Sequence, residues 1–317
     1  MTISILIFVV ALGILLYSAN LFTISAEKIG LALKLSPFFI GVVIVALGTS
    51  LPELVSSIFS VVNGNSEIVT GNIIGANVSN LLLILGFTTL FVTSSIKLGE
   101  EYIFIDLHFM LGAIILATYF MWDGVVSWIE GIFLLLGFGI YQIYLLRSSE
   151  KPERMREEHL LAPLDKPEKL SAKTILLLLI AVAGVFFGAK YTVDSIVEIA
   201  EQLNVSKSII SLTALSLGTT LPELSVSYTA ARRGNPQIAI GNILGSCIFN
   251  ALSVLGIASL IGDIVVPEGH KEFLLLSLLT AGVFFYLLAQ DKKISRWEGM
   301  LFILLYTVFL ASIIGVL

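Results

Sequence analysis

One 46-residue segment of this chain occurs twice. Setting each residue against the one 170 positions later aligns GVVIVALGTSLPELVSSIFSVVNGNSEIVTGNIIGANVSNLLLILG (41–86) with SLTALSLGTTLPELSVSYTAARRGNPQIAIGNILGSCIFNALSVLG (211–256) without a gap, and nineteen positions are identical. Many of the matches are polar or conformationally special: Gly48, Thr49, Pro52, Glu53, Ser57, Asn72 and Asn80 recur as Gly218, Thr219, Pro222, Glu223, Ser227, Asn242 and Asn250. Shared hydrophobicity cannot produce that pattern, so the two halves must build the same substructure. A weaker echo, WIEG (128–131) and WEG (297–299), falls near the end of each half.

The surroundings of the repeat decide the medium. The chain is 57% hydrophobic and 13% charged, about half the ~25% charged share of a soluble domain. About 20 apolar residues span a bilayer as a helix, and ten stretches qualify: 3–25, 37–62, 68–93, 102–122, 125–146, 173–200, 207–231, 237–262, 272–289 and 297–316. The opening MTISILIFVVALGILLYSAN has no basic n-region and stays apolar beyond signal-peptide length, so it reads as a first span. Each half holds five spans, and five is odd, so the second half enters the membrane upside down relative to the first. The expected fold is an all-α polytopic membrane protein of ten transmembrane helices in two inverted five-helix repeats, 1–147 and 173–317, joined by a linker at 148–172. Inverted repeats are a common plan of secondary transporters.

Basic residues orient the chain. The hydrophilic stretch RSSEKPERMREEHLLAPLDKPEKLSAK (147–173) carries seven Lys and Arg, and the positive-inside rule makes it cytoplasmic. Alternating spans then place Lys97, Arg232, Arg233, Lys292, Lys293 and Arg296 on the same side and leave Lys190, Lys207 and Lys271 opposite. Both termini are expected outside. The acidic residues of the stretch read as a solvated linker, and the net charge of −5 offers nothing to nucleic acid. The single Cys247 excludes a disulfide within the chain.

LGTSLPEL (47–54) and LGTTLPEL (217–224) place Gly, hydroxyls, Pro and Glu inside apolar sequence. Each is costly there: proline removes a backbone donor, and an intramembrane carboxylate costs at least ~2.5 kcal/mol. Such a cost, incurred twice in matched positions, points to a binding site at kinked helices near the midplane. Pro52 and Pro222 would free carbonyls one turn upstream, at Gly48 and Gly218 with Ala46 and Ser216 nearby. Together with Thr49, Ser50, Thr219, Thr220, Glu53 and Glu223 these make a cage of hard oxygens, suited to Ca²⁺ or Na⁺ and not to soft metals. GNIIGANVSN (71–80) and GNILGSCIFN (241–250) add Asn72, Asn242, Asn80 and Asn250, with glycines spaced for close helix approach at Gly71, Gly75, Gly241 and Gly245. Asn72 and Asn242 could equally be interhelical packing amides. Two carboxylates among neutral ligands give a site charge near −2, which one Ca²⁺ or two monovalent cations can neutralise.

These paired GTxLPE segments within inverted repeats resemble the alpha repeats of the Ca²⁺/cation antiporter superfamily, and within it the sodium/calcium exchangers of prokaryotic type. The resemblance implies that Glu53 and Glu223 are the central cation ligands. Thr49, Ser50, Thr219, Thr220, Ser246, Asn80, Asn250 and backbone oxygens at Ala46 and Ser216 would complete adjoining sites. It also implies that the long first and sixth spans slide against the remaining bundle while Na⁺ entry drives Ca²⁺ out. The chain departs from many relatives in having Ala76 where a serine hydroxyl is common, and Asn250 where some, including potassium-dependent ones, have Asp. Potassium co-transport is therefore not expected.

A Ca²⁺/H⁺ exchanger could use the same glutamates as proton carriers, and a channel could share the cage. An intramembrane hydrolase would need a nucleophile with a base, or a metal site, and the sequence has no Gly-x-Ser-x-Gly and no His pair at ligand spacing. The expectation is thus a transporter and not an enzyme. It needs no cofactor beyond the transported ions, with Ca²⁺, Na⁺ and the lipid bilayer as partners and no protein or nucleic acid among them.

Overall fold

The computed structural model describes residues 2–33, 35–91, 96–97, 101–149, 171–202, 207–268, 271–291 and 293–313. Among them ten helical rods follow one another: α1 (Thr2–Ala32), α2 (Pro37–Val62), α3 (Glu67–Phe91), α4 (Glu101–Met121), α5 (Trp128–Ser149), α6 (Ala172–Gln202), α7 (Lys207–Arg232), α8 (Pro236–Ile261), α9 (Lys271–Leu288) and α10 (Arg296–Ile313). Each covers one of the ten expected spans. Eight are long and apolar enough to cross a membrane; the others are α4, whose apolar part is shorter, and α7, which carries the second polar motif.

The 170-residue offset recurs in the elements. Both α1 and α6 are 31 residues long, about 46 Å at 1.5 Å per residue. That exceeds the ~30 Å hydrocarbon core, which leaves both long enough to tilt across it or to project beyond it. The α2–α3 and α7–α8 turns match bond for bond. Gly64 and Gly234 take φ of 76° and 86°, and Asn65 N–H reaches Ser60 O at 2.8 Å as Asn235 N–H reaches Ala230 O at 3.0 Å. A left-handed glycine closed by such a backward bond ends a helix and reverses the chain. The WIEG/WEG echo also has a cause: Ser127 and Ser295 donate their backbone N–H to Glu130 (2.7 Å) and Glu298 (2.6 Å). These are capping boxes that start α5 and α10.

A break at each proline is the sequence expectation, and the structure moves it. Helix runs on through both Pro52 and Pro222. The irregularity lies in π-helical segments at Ile40–Val45, Ser79–Ile84 and Phe249–Val254, the last two 170 residues apart. In the first, Ala46 N–H bonds back to Gly41 O, five residues earlier. A π turn re-satisfies backbone groups that would otherwise be orphaned in lipid, and it often marks a functional site.

Two short antiparallel pairs tie the loops. β1 (Ile96–Lys97, between α3 and α4) pairs with β4 (Lys293–Ile294, between α9 and α10), and β2 (Val125–Val126, between α4 and α5) pairs with β3 (Ile264–Val265, between α8 and α9). Each pair joins one half of the chain to the other. The halves also interleave in the core: α8 of the second packs against α2 of the first, and α8 and α3 are the most deeply buried of the apolar rods. The largest apolar cluster joins α2, α3, α4, α5, α8, α9 and α10. A second cluster holds α1 and α6 together, with parts of α2, α7 and α8. The α1–α6 contact runs close, for a Cβ at Gly188 would lie 2.8 Å from Leu15 Cα. The architecture is an eight-helix bundle flanked by a closely packed pair of long helices.

Candidate ion-binding site

Along α2 the motif puts Thr49, Ser50 and Glu53 within one turn, so all three turn inward on one face. Each is buried. On α7 Thr220 and Glu223 are buried likewise, while the side chains of Ser216 and Thr219 lie outside the described residues. From α3 and α8 come Asn72, Ala76, Asn80, Asn242, Ser246 and Asn250, all buried. Asn80 and Asn250 sit at matched positions inside the two repeat-related π segments.

Hydrogen bonds bring the halves together at this place. Ser50 Oγ lies 3.2 Å from Glu223 Oε1 and 2.9 Å from Ser246 Oγ, so a hydroxyl of the first motif touches the carboxylate of the second and the serine of α8. Thr49 Oγ1 is 3.0 Å from Asn242 Oδ1, 3.2 Å from Val45 O and 3.4 Å from Ala46 O. Asn242 Nδ2 donates to Ser227 Oγ at 2.8 Å, and Asn72 Nδ2 donates to Ser57 Oγ at 3.4 Å. Glu53, Thr49, Ser50, Glu223, Ser246 and Asn242 thus belong to helices packed directly on one another.

Several buried polar atoms have no hydrogen-bond partner among the described residues: both carboxylate oxygens of Glu53, Oε2 of Glu223, Oδ1 of Asn72, Nδ2 of Asn80 and both amide atoms of Asn250. Buried polar groups are otherwise almost always paired, and an unpaired buried carboxylate is among the costliest. The carboxylate oxygens fit a hard cation, which would satisfy what the protein leaves open. Ala76 offers no oxygen from its side chain. At the matched position Ser246 does.

Two features escaped the sequence. Ser57 and Ser227, matched in the repeat one turn beyond each glutamate, hold the amides of Asn72 and Asn242. Asn77, one turn before Asn80 on α3, is fully buried with both amide atoms unpartnered among the described residues. Recurrence gave no signal for it, since its repeat counterpart is Cys247.

The sodium/calcium exchanger protein family matches residues 3–147 and 173–315. The chain belongs to that family. Among its relatives, the sodium/calcium exchanger MaX1 of Methanosarcina acetivorans is 31% identical over 98% of each chain. A membrane protein of Methanocaldococcus jannaschii is 32% identical over 96% of each. A solved structure of the sodium-calcium exchanger NCX_Mj, soaked with Na⁺ and Ca²⁺, superposes with a TM-score of 0.83 at 30% identity, covering 98% of both chains. The exchanger fold accordingly extends over nearly the whole of this family member, in the ten-helix inverted-repeat arrangement.

Proposed function

We infer that the protein is a secondary antiporter that exchanges Na⁺ for Ca²⁺ by alternating access at a site built from the two GTxLPE motifs. One observation carries the reading. Glu53 and Glu223, repeat-related and buried, keep carboxylate oxygens without partners where hydroxyls and amides from both halves converge. Ca²⁺ takes six to eight oxygens, and Glu53, Glu223, Thr49, Ser50, Thr220, Asn80, Asn250, Ser246 and the Ala46 carbonyl are the donors we assign. Ser216 and Thr219 complete the set by repeat symmetry. A site charge of about −2 is met by one Ca²⁺ or by monovalent ions but not by both together, and that competition is what couples the fluxes.

In this reading residues 1–147 and 173–317 are the two repeats, the 148–172 linker is cytoplasmic and both termini are outside. The pairing of Lys97 with Lys293 across β1 and β4 supports one basic face. Gly41 and Gly241 meet where α2 and α8 begin, with Gly241 Cα 2.9 Å from the position of a Cβ at Gly41. With the linker inside, that closed end faces the cytoplasm. The α1–α6 pair, joined by its own close contact, is the part that slides.

The test is radiolabelled Ca²⁺ uptake into proteoliposomes with outward Na⁺, K⁺ or H⁺ gradients imposed one at a time. Na⁺ alone should drive uptake. Uptake driven by H⁺ instead would make the same glutamates proton carriers, and uptake indifferent to all three would end the antiporter reading.

A further inference from the structure

We propose that Ser227 and Asn242 are positioning residues that turn the lone pairs of the Thr49 hydroxyl toward the ion, and that Asn242 is not a ligand itself. The proposal rests on the exchange function inferred above and assigns a role within its site.

A cation binds the lone pairs of a hydroxyl, so the proton of that hydroxyl must point elsewhere. Besides the Glu223 carboxylate, Thr49 has three acceptors in reach, and the shortest of these contacts is to Asn242 Oδ1 at 3.0 Å. The others are backbone carbonyls at 3.2 and 3.4 Å, and the farther belongs to Ala46, a proposed ligand. Sending the proton to Asn242 leaves both the Thr49 lone pairs and the Ala46 carbonyl for the cation. Asn242 can accept only if its oxygen end faces Thr49, and an amide has a donor end of nearly the same shape. Ser227 settles the choice by accepting Nδ2 at 2.8 Å. The chain Ser227, Asn242, Thr49 is therefore directional, each bond fixing the next.

The serine-to-amide bond alone recurs in the other half, where Asn72 Oδ1 has no partner among the described residues. Ser57 lies one turn beyond Glu53 as Ser227 lies one turn beyond Glu223, and Asn72 Nδ2 donates to Ser57 Oγ at 3.4 Å. The four residues are all buried, at 0–3% exposure, where rotation of an amide is not paid back by water. A packing amide needs partners of any kind; recurrence of the donor end on a serine, with Asn242 giving its oxygen to a motif hydroxyl, goes beyond packing.

Two readouts separate this inference from the function on which it rests. Ion binding to purified protein is followed by the Na⁺ or Ca²⁺ concentration that half-maximally raises the thermal midpoint, and transport by Na⁺-driven Ca²⁺ uptake. Ser227→Ala should raise the half-maximal concentration about five- to tenfold, the loss expected of one oriented hydrogen bond, with the ion-free midpoint little changed. Ser227→Thr should restore it. Thr49→Ala should cause a similar loss, and Ser227→Ala added to Thr49→Ala should cost nothing more, because Ser227 acts through Thr49. Asn242→Ala, which removes the acceptor of the Thr49 hydroxyl, runs the same test if Ser227→Ala does not fold. Additive losses, unchanged ion binding in the alanine variants, or a fall in the ion-free midpoint alone would overturn the relay. Absence of Na⁺-driven uptake in the unaltered protein would instead overturn the exchange function and leave the binding readout to judge the relay.

Discussion

Glu53 and Glu223 are alike in sequence but not in company. Ser50 bonds Glu223 Oε1, whereas neither oxygen of Glu53 has a partner among the described residues. In the proposed site, replacing either with Gln removes one of the two buried charges assigned to balance a divalent ion. Glu53→Gln and Glu223→Gln should each abolish Ca²⁺ uptake while the protein still folds, since a buried amide costs less than a buried carboxylate; native-rate uptake by either, in the same proteoliposomes, would dismiss the paired-carboxylate site. Ala76 makes a finer case. Ala76→Ser restores the hydroxyl its mate Ser246 has, and should shift the Na⁺ concentration dependence more than the Ca²⁺ affinity, as titration of the initial uptake rate would reveal. At this scale the sequence disclosed the oxygens and hid their directions. Glu53, Thr49, Asn80 and Asn250 stood out because polar residues recur in apolar spans, but no spacing says which way a hydroxyl proton points, and so Ser57 and Ser227, which recur as well, were given no role.

Elements carry the repeat less symmetrically than residues do. Glycines spaced four apart in α3 and α8 are expected to admit close helix contact in both, and among the described residues only the α8 pair makes it. A Cβ at Gly241 would meet the carbonyl of Phe38 and lie 3.0 Å from Gly41 Cα, and one at Gly245 would lie 2.7 Å from Ala46 Cβ. A Cβ at Gly71 or Gly75 would meet nothing within 4 Å among the described residues. Gly241→Ala should therefore destabilise by about 1–3 kcal/mol and Gly71→Ala by under about 0.5 kcal/mol, a contrast that thermal unfolding in detergent will register; equal midpoints for the two would show that the α2–α8 contact can relax. Apolar stretches located all ten rods, although the apolar part of α4 is shorter and α7 is interrupted by its polar motif. The π segments were not legible, since backbone register depends on how neighbouring helices crowd the turn and not on the residues within it.

At the scale of the whole molecule the halves interleave, with α8 of one packed on α2 of the other and each strand pair formed between them. Neither half can present the site alone. The odd span count made inversion legible; interleaving was not, because it depends on contacts between residues about 200 apart, such as Ser50 with Ser246. The three spans between them place the α2–α3 turn and the end of α5 on opposite faces in the proposed orientation. Cysteines at Asn65 and Ser149, in a Cys247→Ala background, should react with an impermeant thiol reagent from outside and from the cytoplasm respectively, and reaction of both from one side would reject the orientation. The central claim is coupling, and counterflow measures it most directly. In vesicles loaded with radiolabelled Na⁺ and held without a Na⁺ gradient, external Ca²⁺ should release Na⁺ in step with its own entry, and Glu223→Gln should stop both fluxes together; Ca²⁺ entry with no Na⁺ release would make the site a Ca²⁺ pathway without exchange and contradict the account.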